Sequence, residues 1–251
     1  MFLDRYLDME KVIILVDGQN LYYNLAEIGL KERDIDWNAL FDSFLEPEDK
    51  LIRAYWFRAA KLQDGNFSEE RIRQQIVYKC YRNLYQDYKT APEKIKESVL
   101  NDIDAQANVA IEWLTKQRER FSSIEFAYDQ LCLENRDIEI VKSGVVKVDP
   151  YKRIYLGEKG VDIALAVKMI SLSVEEKCDK IILISGDYDY TEAIRYVKGN
   201  MTKMHIVKFH KGVPPSSKSM SRDLSVLADH IINIYEEEII KNYLRPQQSG
   251  R

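Results

Sequence analysis

The run Val12-Ile13-Ile14-Leu15-Val16 is continuously apolar and mostly β-branched, the pattern of a strand buried on both faces of a parallel sheet. It stops at Asp17-Gly18-Gln19-Asn20, after which Leu21, Leu25 and Ile28 recur at helical spacing, followed by Trp37, Leu40, Phe41 and Phe44. A second strand is predicted over 51–57, so strand, helix and strand succeed one another as in a right-handed crossover unit. From residue 64 to 135 the pattern is helical throughout. Ser68 opens a segment in which Ile72, Ile76, Cys80, Leu84 and Tyr88 fall every four residues, and Ser122 with Glu125 marks a later helix start. Between them, Thr90 with Glu93 has capping-box spacing ahead of Ile95, Val99, Ile103, Ala110, Ile111 and Leu114. Strand-like runs return at 138–141 and 145–148, readable as a hairpin through Ser143-Gly144. A helix over 161–174, a strand over 180–185, a helix over 190–197, a strand over 203–209 and a short helix over 223–228 follow. Residues 231–235 fit a strand or a helix, and 247–251 are expected to be disordered.

The alternation of strands and helices predicts an α/β protein, interrupted by a helical module. Residues 1–63 and 137–235 are expected to form one domain, 64–136 a helical insertion and 236–251 a C-terminal tail. With 251 residues and 45% hydrophobic positions the chain can bury a sizeable core. Its 37 Lys+Arg and 41 Asp+Glu give a formal charge of −4, which excludes a histone-like tail or a polybasic membrane-surface protein. The start MFLDRYLDMEK mixes acids into its apolar residues, unlike a secretory signal, and no apolar run approaches the roughly 18 residues of a membrane span. Cys80, Cys132 and Cys178 are odd in number and far apart, so neither a disulfide framework nor a paired-cysteine zinc site is expected, and the compartment is expected to be the cytoplasm.

Carboxylates stand where an open parallel sheet places function, just beyond the carboxyl ends of strands. Asp17 follows the first strand, Asp187 and Asp189 follow the strand ending at Ile184, and Asp162 begins the helix before that strand. Each has a plainer reading: Asp17 as a turn residue, Asp162 as a partner of the helix dipole, Asp189 as an N-cap with Glu192 at capping-box spacing. Together they read as one site. Ionised carboxylates held close repel one another and call for a cation, and oxygen ligands without His or Cys suit Mg²⁺ or Mn²⁺. Such an ion polarises a phosphodiester and acidifies a bound water, which points to phosphodiester hydrolysis. His205, His210 and His230 lack the spacing of a metal-binding pair, and no Ser or Cys sits in a nucleophile motif.

The segments Val-Asp-Gly-Gln-Asn at 16–20, Lys-Gly-Val-Asp-Ile-Ala-Leu-Ala-Val-Lys-Met at 159–169 and Ser-Gly-Asp-Tyr-Asp-Tyr at 185–190 resemble, in order, the three signature blocks of NYN-domain proteins, in the LabA-like branch of the PIN-like nucleases. Leu224 to Asp229 resembles the family's closing segment. The resemblance covers 11–60 and 137–235 and implies a PIN-like three-layer α/β/α sandwich around a central, mainly parallel sheet, with a divalent-metal site and ribonuclease activity. It implies Asp17, Asp162, Asp187 and Asp189 as the acidic site and metal ligands, and Asn20 as a polar neighbour of the metal or the scissile phosphate. The family usually has Ser where this chain has Tyr188. The competing reading is a non-catalytic RNA-binding or scaffold module on the same fold.

RNA contacts are expected from Lys159, beside Gly160, from Tyr188, whose long aromatic arm could stack on a base or merely pack against a loop, and from Lys211 and Lys218 in a stretch without acids between Glu192 and Asp223. DNA is not distinguished from RNA by these residues. A second basic cluster, Lys142, Lys147, Lys152 and Arg153, has Tyr151 and Tyr155 interleaved, as stacking rings or as ordinary strand packing. In the insertion, Tyr78, Tyr81, Tyr85 and Tyr88 share a broad face with apolar residues, the pattern of a core or a homodimer seam; a substrate lid or a docking site for a protein partner are the other readings.

Overall fold

The computed structural model describes residues 9–59, 61–65, 67–135, 137–212, 214, 216 and 220–245. In chain order the elements are β1 (Glu10–Asp17), α1 (Gly18–Glu27), α2 (Trp37–Asp42), β2 (Asp49–Ala59), β3 (Leu62–Gln63), α3 (Glu69–Cys80), α4 (Tyr85–Thr90) and α5 (Glu97–Glu134). Then come β4 (Ile138–Ser143), β5 (Val145–Asp149), β6 (Ile154–Lys159), α6 (Val161–Val174), β7 (Lys180–Ile184), α7 (Thr191–Gly199), β8 (Lys203–His210), α8 (Arg222–Leu227), β9 (His230–Tyr235) and α9 (Glu236–Asn242). Two compact units divide them: the described parts of 1–58, 128–143 and 160–251, and those of 59–127 and 144–159.

The first unit carries a six-stranded sheet in the order β4-β2-β1-β7-β8-β9, flanked by helices. β1 pairs in parallel with β2 and β7, β7 with β8, and β8 with β9. Val12 to Val16 are at most 2% exposed, as an apolar run covered on both faces should be. From β1 the chain builds outward to β2 on one side and through β7, β8 and β9 on the other, so the order reverses between β1 and β7. The carboxyl ends of these two strands therefore flank a topological switch point, where open α/β sheets form a crevice.

At the opposite, amino edge a buried charge network holds the same strands. Lys180, fully buried at the start of β7, donates to both Asp49 oxygens at 2.7 and 2.8 Å and to Glu46 at 2.6 Å, and lies 3.4 Å from Glu10. Burial alone would make the ammonium easier to deprotonate, but the hydrogen bonds and charges of Asp49 and Glu46 outweigh it and raise its pKa.

The second unit has its own core. Ile72, Ile76 and Val77 of α3 pack with Ile103, Ala107, Ala110 and Leu114 of α5 and with Val146 and Val148 of β5, in a sheet of order β3-β5-β6. Ser68 caps α3 as its spacing predicts, accepting the Arg71 N–H at 3.3 Å. Tyr81, Tyr85 and Tyr88 pack against this core, while Tyr78 is half exposed. Cys80, expected on the apolar face, is exposed, and all three cysteines are free. Tyr151 and Tyr155 are likewise engaged, Tyr151 under Lys79 at 4.4 Å and Tyr155 beside Trp113 with ring centroids 6.0 Å apart.

Several local expectations change. Thr90 does not open a helix but ends α4, its hydroxyl donating to the Gln86 carbonyl at 3.0 Å; Ala91, ahead of Pro92, leaves the helical region at φ −154° and α5 starts only at Glu97. The start expected at Ser122 lies inside α5, which runs unbroken for 38 residues. The hairpin through Ser143-Gly144 is not formed: β4 joins the large sheet beside β2, and β5 pairs with β3 and β6. Residues 231–235 belong to strand β9. The region expected as a tail folds as far as 245: α9 buries Ile239 fully, and Arg245 donates its N–H to the Asp34 carbonyl at 2.9 Å. The disorder expected at 247–251 lies outside the described residues.

Candidate active site

Asp17 ends β1 and is 3% exposed, so its charge is held by hydrogen bonds rather than by water. One oxygen accepts the Asn20 N–H at 3.0 Å, capping α1; the other accepts the Ser185 hydroxyl at 3.0 Å and the Tyr190 hydroxyl at 3.1 Å. The first position of α1 admits only glycine, because a Cβ on Gly18 would lie 2.7 Å from the Phe57 carbonyl oxygen and 2.8 Å from Trp56 Nε1. Asp17 is thus the N-cap of a helix that begins directly at Gly18, rather than a turn residue.

Asp162 sits in the first turn of α6, whose N-cap Gly160 has φ +88°, a conformation glycine adopts without strain. Its carboxylate lies 3.4 Å from the Tyr190 hydroxyl, so this buried phenol stands between Asp17 and Asp162. Burial raises the Asp162 pKa, the charges of Asp17, Asp187 and Asp189 raise it further, and the Tyr190 hydrogen bond opposes them. Tyr190 itself is pushed far up by burial and by the charges of Asp17 and Asp162, which keeps its hydroxyl a donor.

Asp187 and Asp189 lie in the turn after β7. Asp187 accepts the Asp189 N–H at 3.1 Å and caps the short 3-10 turn Tyr188–Tyr190, whereas α7 has no side-chain cap, so Asp189 does not take the N-cap role expected of it; the Asp187 N–H donates to Ser185 Oγ at 3.2 Å. Asp189 is exposed, and Tyr188 between them is 57% exposed. Asn20 is a brace: its Oδ1 accepts the Gly186 N–H at 3.2 Å and the Asn24 amide at 2.9 Å, tying α1 to the turn after β7. Of the expected RNA contacts, Lys211 is exposed just past β8, where its backbone exchanges two 2.9 Å hydrogen bonds with Ser216. Lys159 is exposed at the end of β6, in the second unit, and Lys218 lies outside the described residues.

The structure therefore brings Asp17, Asp162, Asp187, Asp189 and Asn20 to one end of the sheet, and adds Ser185 and Tyr190, to which the sequence alone assigns no role. A polar Ser185 directly after the fully apolar 181–184 was the available signal. Among the described residues no Lys, Arg or His forms an ion pair with any of the four aspartates. That uncompensated oxygen set fits a hard divalent cation. No three His, Cys, Asp or Glu side chains among the described residues converge to hold an ion directly.

A central parallel sheet flanked by helices, with an acid cluster at its switch point, defines the class as α/β. The chain belongs to the NYN domain family, whose pattern spans residues 11–235. NYN domains are part of the PIN-like superfamily and are typically nucleases, and PIN-like nuclease domains generally use divalent metals. The crystal structure of a protein of unknown function from Vibrio parahaemolyticus is similar at a TM-score of 0.47 and 18% identity, over 95% of this chain and 98% of that one. No curated protein matches the chain. No helix among the described residues is long and apolar enough to cross a membrane.

Proposed function

We propose that the protein is a divalent-metal-dependent ribonuclease that hydrolyses RNA phosphodiester bonds at the carboxyl edge of the large sheet. The observation that carries this reading is the gathering of Asp17, Asp162, Asp187 and Asp189 at the carboxyl ends of β1 and β7 with, among the described residues, no protein cation paired to any of them; burial first, and then the charges of the other three, raise the Asp162 pKa. Asp17, Asp162, Asp187 and Asp189 would hold Mg²⁺ or Mn²⁺, directly or through water. When bound, the ion supplies Lewis acidity to the phosphoryl oxygen and a water of lowered pKa. The chain's own part is orientation. Ser185 and Tyr190 fix one oxygen of Asp17, Tyr190 reaches Asp162 from the same hydroxyl, and Asn20 sets the turn that presents Asp187 and Asp189. Lys159, Tyr188, Lys211 and Lys218 are the proposed RNA contacts, and the three free thiols suit a reducing cytoplasm.

The second reading, a non-catalytic RNA-binding module, draws on the lack of a direct three-ligand cluster among the described residues. One experiment separates them. Asp17→Asn and Asp187→Asn, each with unchanged circular dichroism, should lose cleavage of defined RNA in Mn²⁺. Full activity in either variant, or in excess chelator, would refute the ribonuclease. RNA binding without saturable Mn²⁺ binding or turnover would establish the module.

A further inference from the structure

The acid-free stretch between Glu192 and Asp223 is sorted by the structure into committed and uncommitted cations. Arg195 pairs with Glu192, Lys203 with Glu10 at the amino edge, and Lys198 with Asp229 at 2.7 Å and with the Leu227 carbonyl at 2.7 Å. Among the described residues Lys208, Lys211 and Arg222 have no ion pair, and all three lie in the second half of β8 or beyond it.

Arg222 is set apart from the other two by its backbone. The residue before it, Ser221, donates its N–H to the carbonyl of Gly186 at 3.2 Å, so this segment lies against the turn that carries Asp187. The segment is held from both sides. Ser221 Oγ accepts the Leu224 N–H at 3.2 Å, Leu224 is fully buried, and Lys198 of α7 grips the far end of α8 at Leu227. The exposed Arg222 thus follows directly on the residue whose backbone is bonded to the acid turn, yet among the described residues it forms no ion pair with any of the four carboxylates. An unpaired cation and unpaired acids carried by two segments bonded to one another leave room for a group that engages both: a phosphodiester, whose oxygens match the planar fork of an arginine.

We propose that Arg222 binds a backbone phosphate of single-stranded RNA lying across the acid cluster, and so sets where the strand is held for cleavage. This rests on the ribonuclease reading and specifies its substrate contact. The test measures binding of labelled single-stranded RNA oligonucleotides by the full chain carrying Asp187→Asn, in Mg²⁺ and across a salt series. Adding Arg222→Ala should weaken binding about tenfold for every sequence tried and reduce the slope of log affinity against log salt by about 0.7, one phosphate contact on a single strand. Arg222→Lys should restore the slope but only part of the affinity, and Lys203→Ala, at the amino edge, should change neither. In the otherwise unmodified enzyme, Arg222→Ala should raise KM more than it lowers kcat. If the chain binds RNA and Arg222→Ala leaves affinity and slope unchanged, or if Lys203→Ala has an equal effect, this inference fails alone. If the wild-type chain binds no RNA, both this inference and the ribonuclease reading fall.

Discussion

Replacing Tyr190 by Phe removes one oxygen from the centre of the acid cluster and leaves the ring in place. The side chain is 1% exposed, so no water replaces the hydroxyl, and the ring's volume is kept, so no cavity opens. What is lost is a hydrogen bond to a carboxylate. The phenol has one proton and serves one acceptor at a time, the nearer being Asp17 at 3.1 Å rather than Asp162 at 3.4 Å. A bond to a charged group contributes about 1.5–3 kcal/mol. Asp17 keeps two other donors, Ser185 and the Asn20 N–H, and the variant no longer buries a hydroxyl, so the lower part of that range applies, about 1.5–2 kcal/mol. Urea unfolding should show this loss at an unchanged slope. Cleavage should fall by about 10–100-fold, the usual cost of removing a group that orients metal-ligating side chains, with weaker Mn²⁺ binding beside it. A variant within about 0.5 kcal/mol of wild type that also cleaves RNA at the wild-type rate would refute the reasoning, because Tyr190 would then be neither support nor orienter.

At the other end of the sheet, Lys180→Met should cost about 3–5 kcal/mol in urea unfolding, since it strands the buried Asp49 without its partner; a loss below about 1 kcal/mol would show the network to be dispensable. His205, 6% exposed, has its pKa lowered by burial first and then by the charges of Lys180 and His230, with Glu46 and Asp49 opposing. The unfolded chain therefore takes up this proton at a higher pH than the folded one, and stability present above about pH 6.5 is lost as pH falls toward the lowered folded value. The urea midpoint should drop between pH 7.5 and about 5.5 in wild type and drop less in His205→Gln; equal slopes in the two would remove His205 from the account.

What the sequence displayed well was whatever a local period or a single cap decides. The apolar runs of β1 and β7 have one reading because every position is covered, and Ser68 caps α3 through a neighbour three residues away. The failures come where distant partners decide. Val145 to Val148 look like the return arm of a hairpin with 138–141, but they pair instead with Leu62-Gln63 and with β6, a choice that no nearby residue signals. Thr90 and Ser122 have the spacing of helix starts, yet Pro92 displaces the first and the long apolar stripe of α5 absorbs the second. The acids of the site were visible because each closes or opens an element. Tyr190 was not, since its role depends on meeting Asp17 across 173 positions of sequence.

The charge of −4 takes on a different meaning once it is placed on the sheet. At the amino edge, the first residues of four parallel strands neutralise one another: Lys180 with Glu10 and Asp49, and Lys203 with Glu10. At the carboxyl edge the same strands end beside four aspartates with no ion-paired cation and beside cations, Lys208, Lys211 and Arg222, with no ion-paired acid, among the described residues. A cluster kept only for stability would be expected to pair its charges at both edges alike, because leaving Asp162 under the repulsion of three neighbours works against the folded state. On the ribonuclease proposal, an edge that leaves both signs open would carry that cost for its substrate, since a phosphate chain arriving with a divalent ion would satisfy both at once. The acidic balance of the whole therefore weighs against nonspecific coating of nucleic acid, whose attraction depends on net positive charge, and not against binding at this one edge.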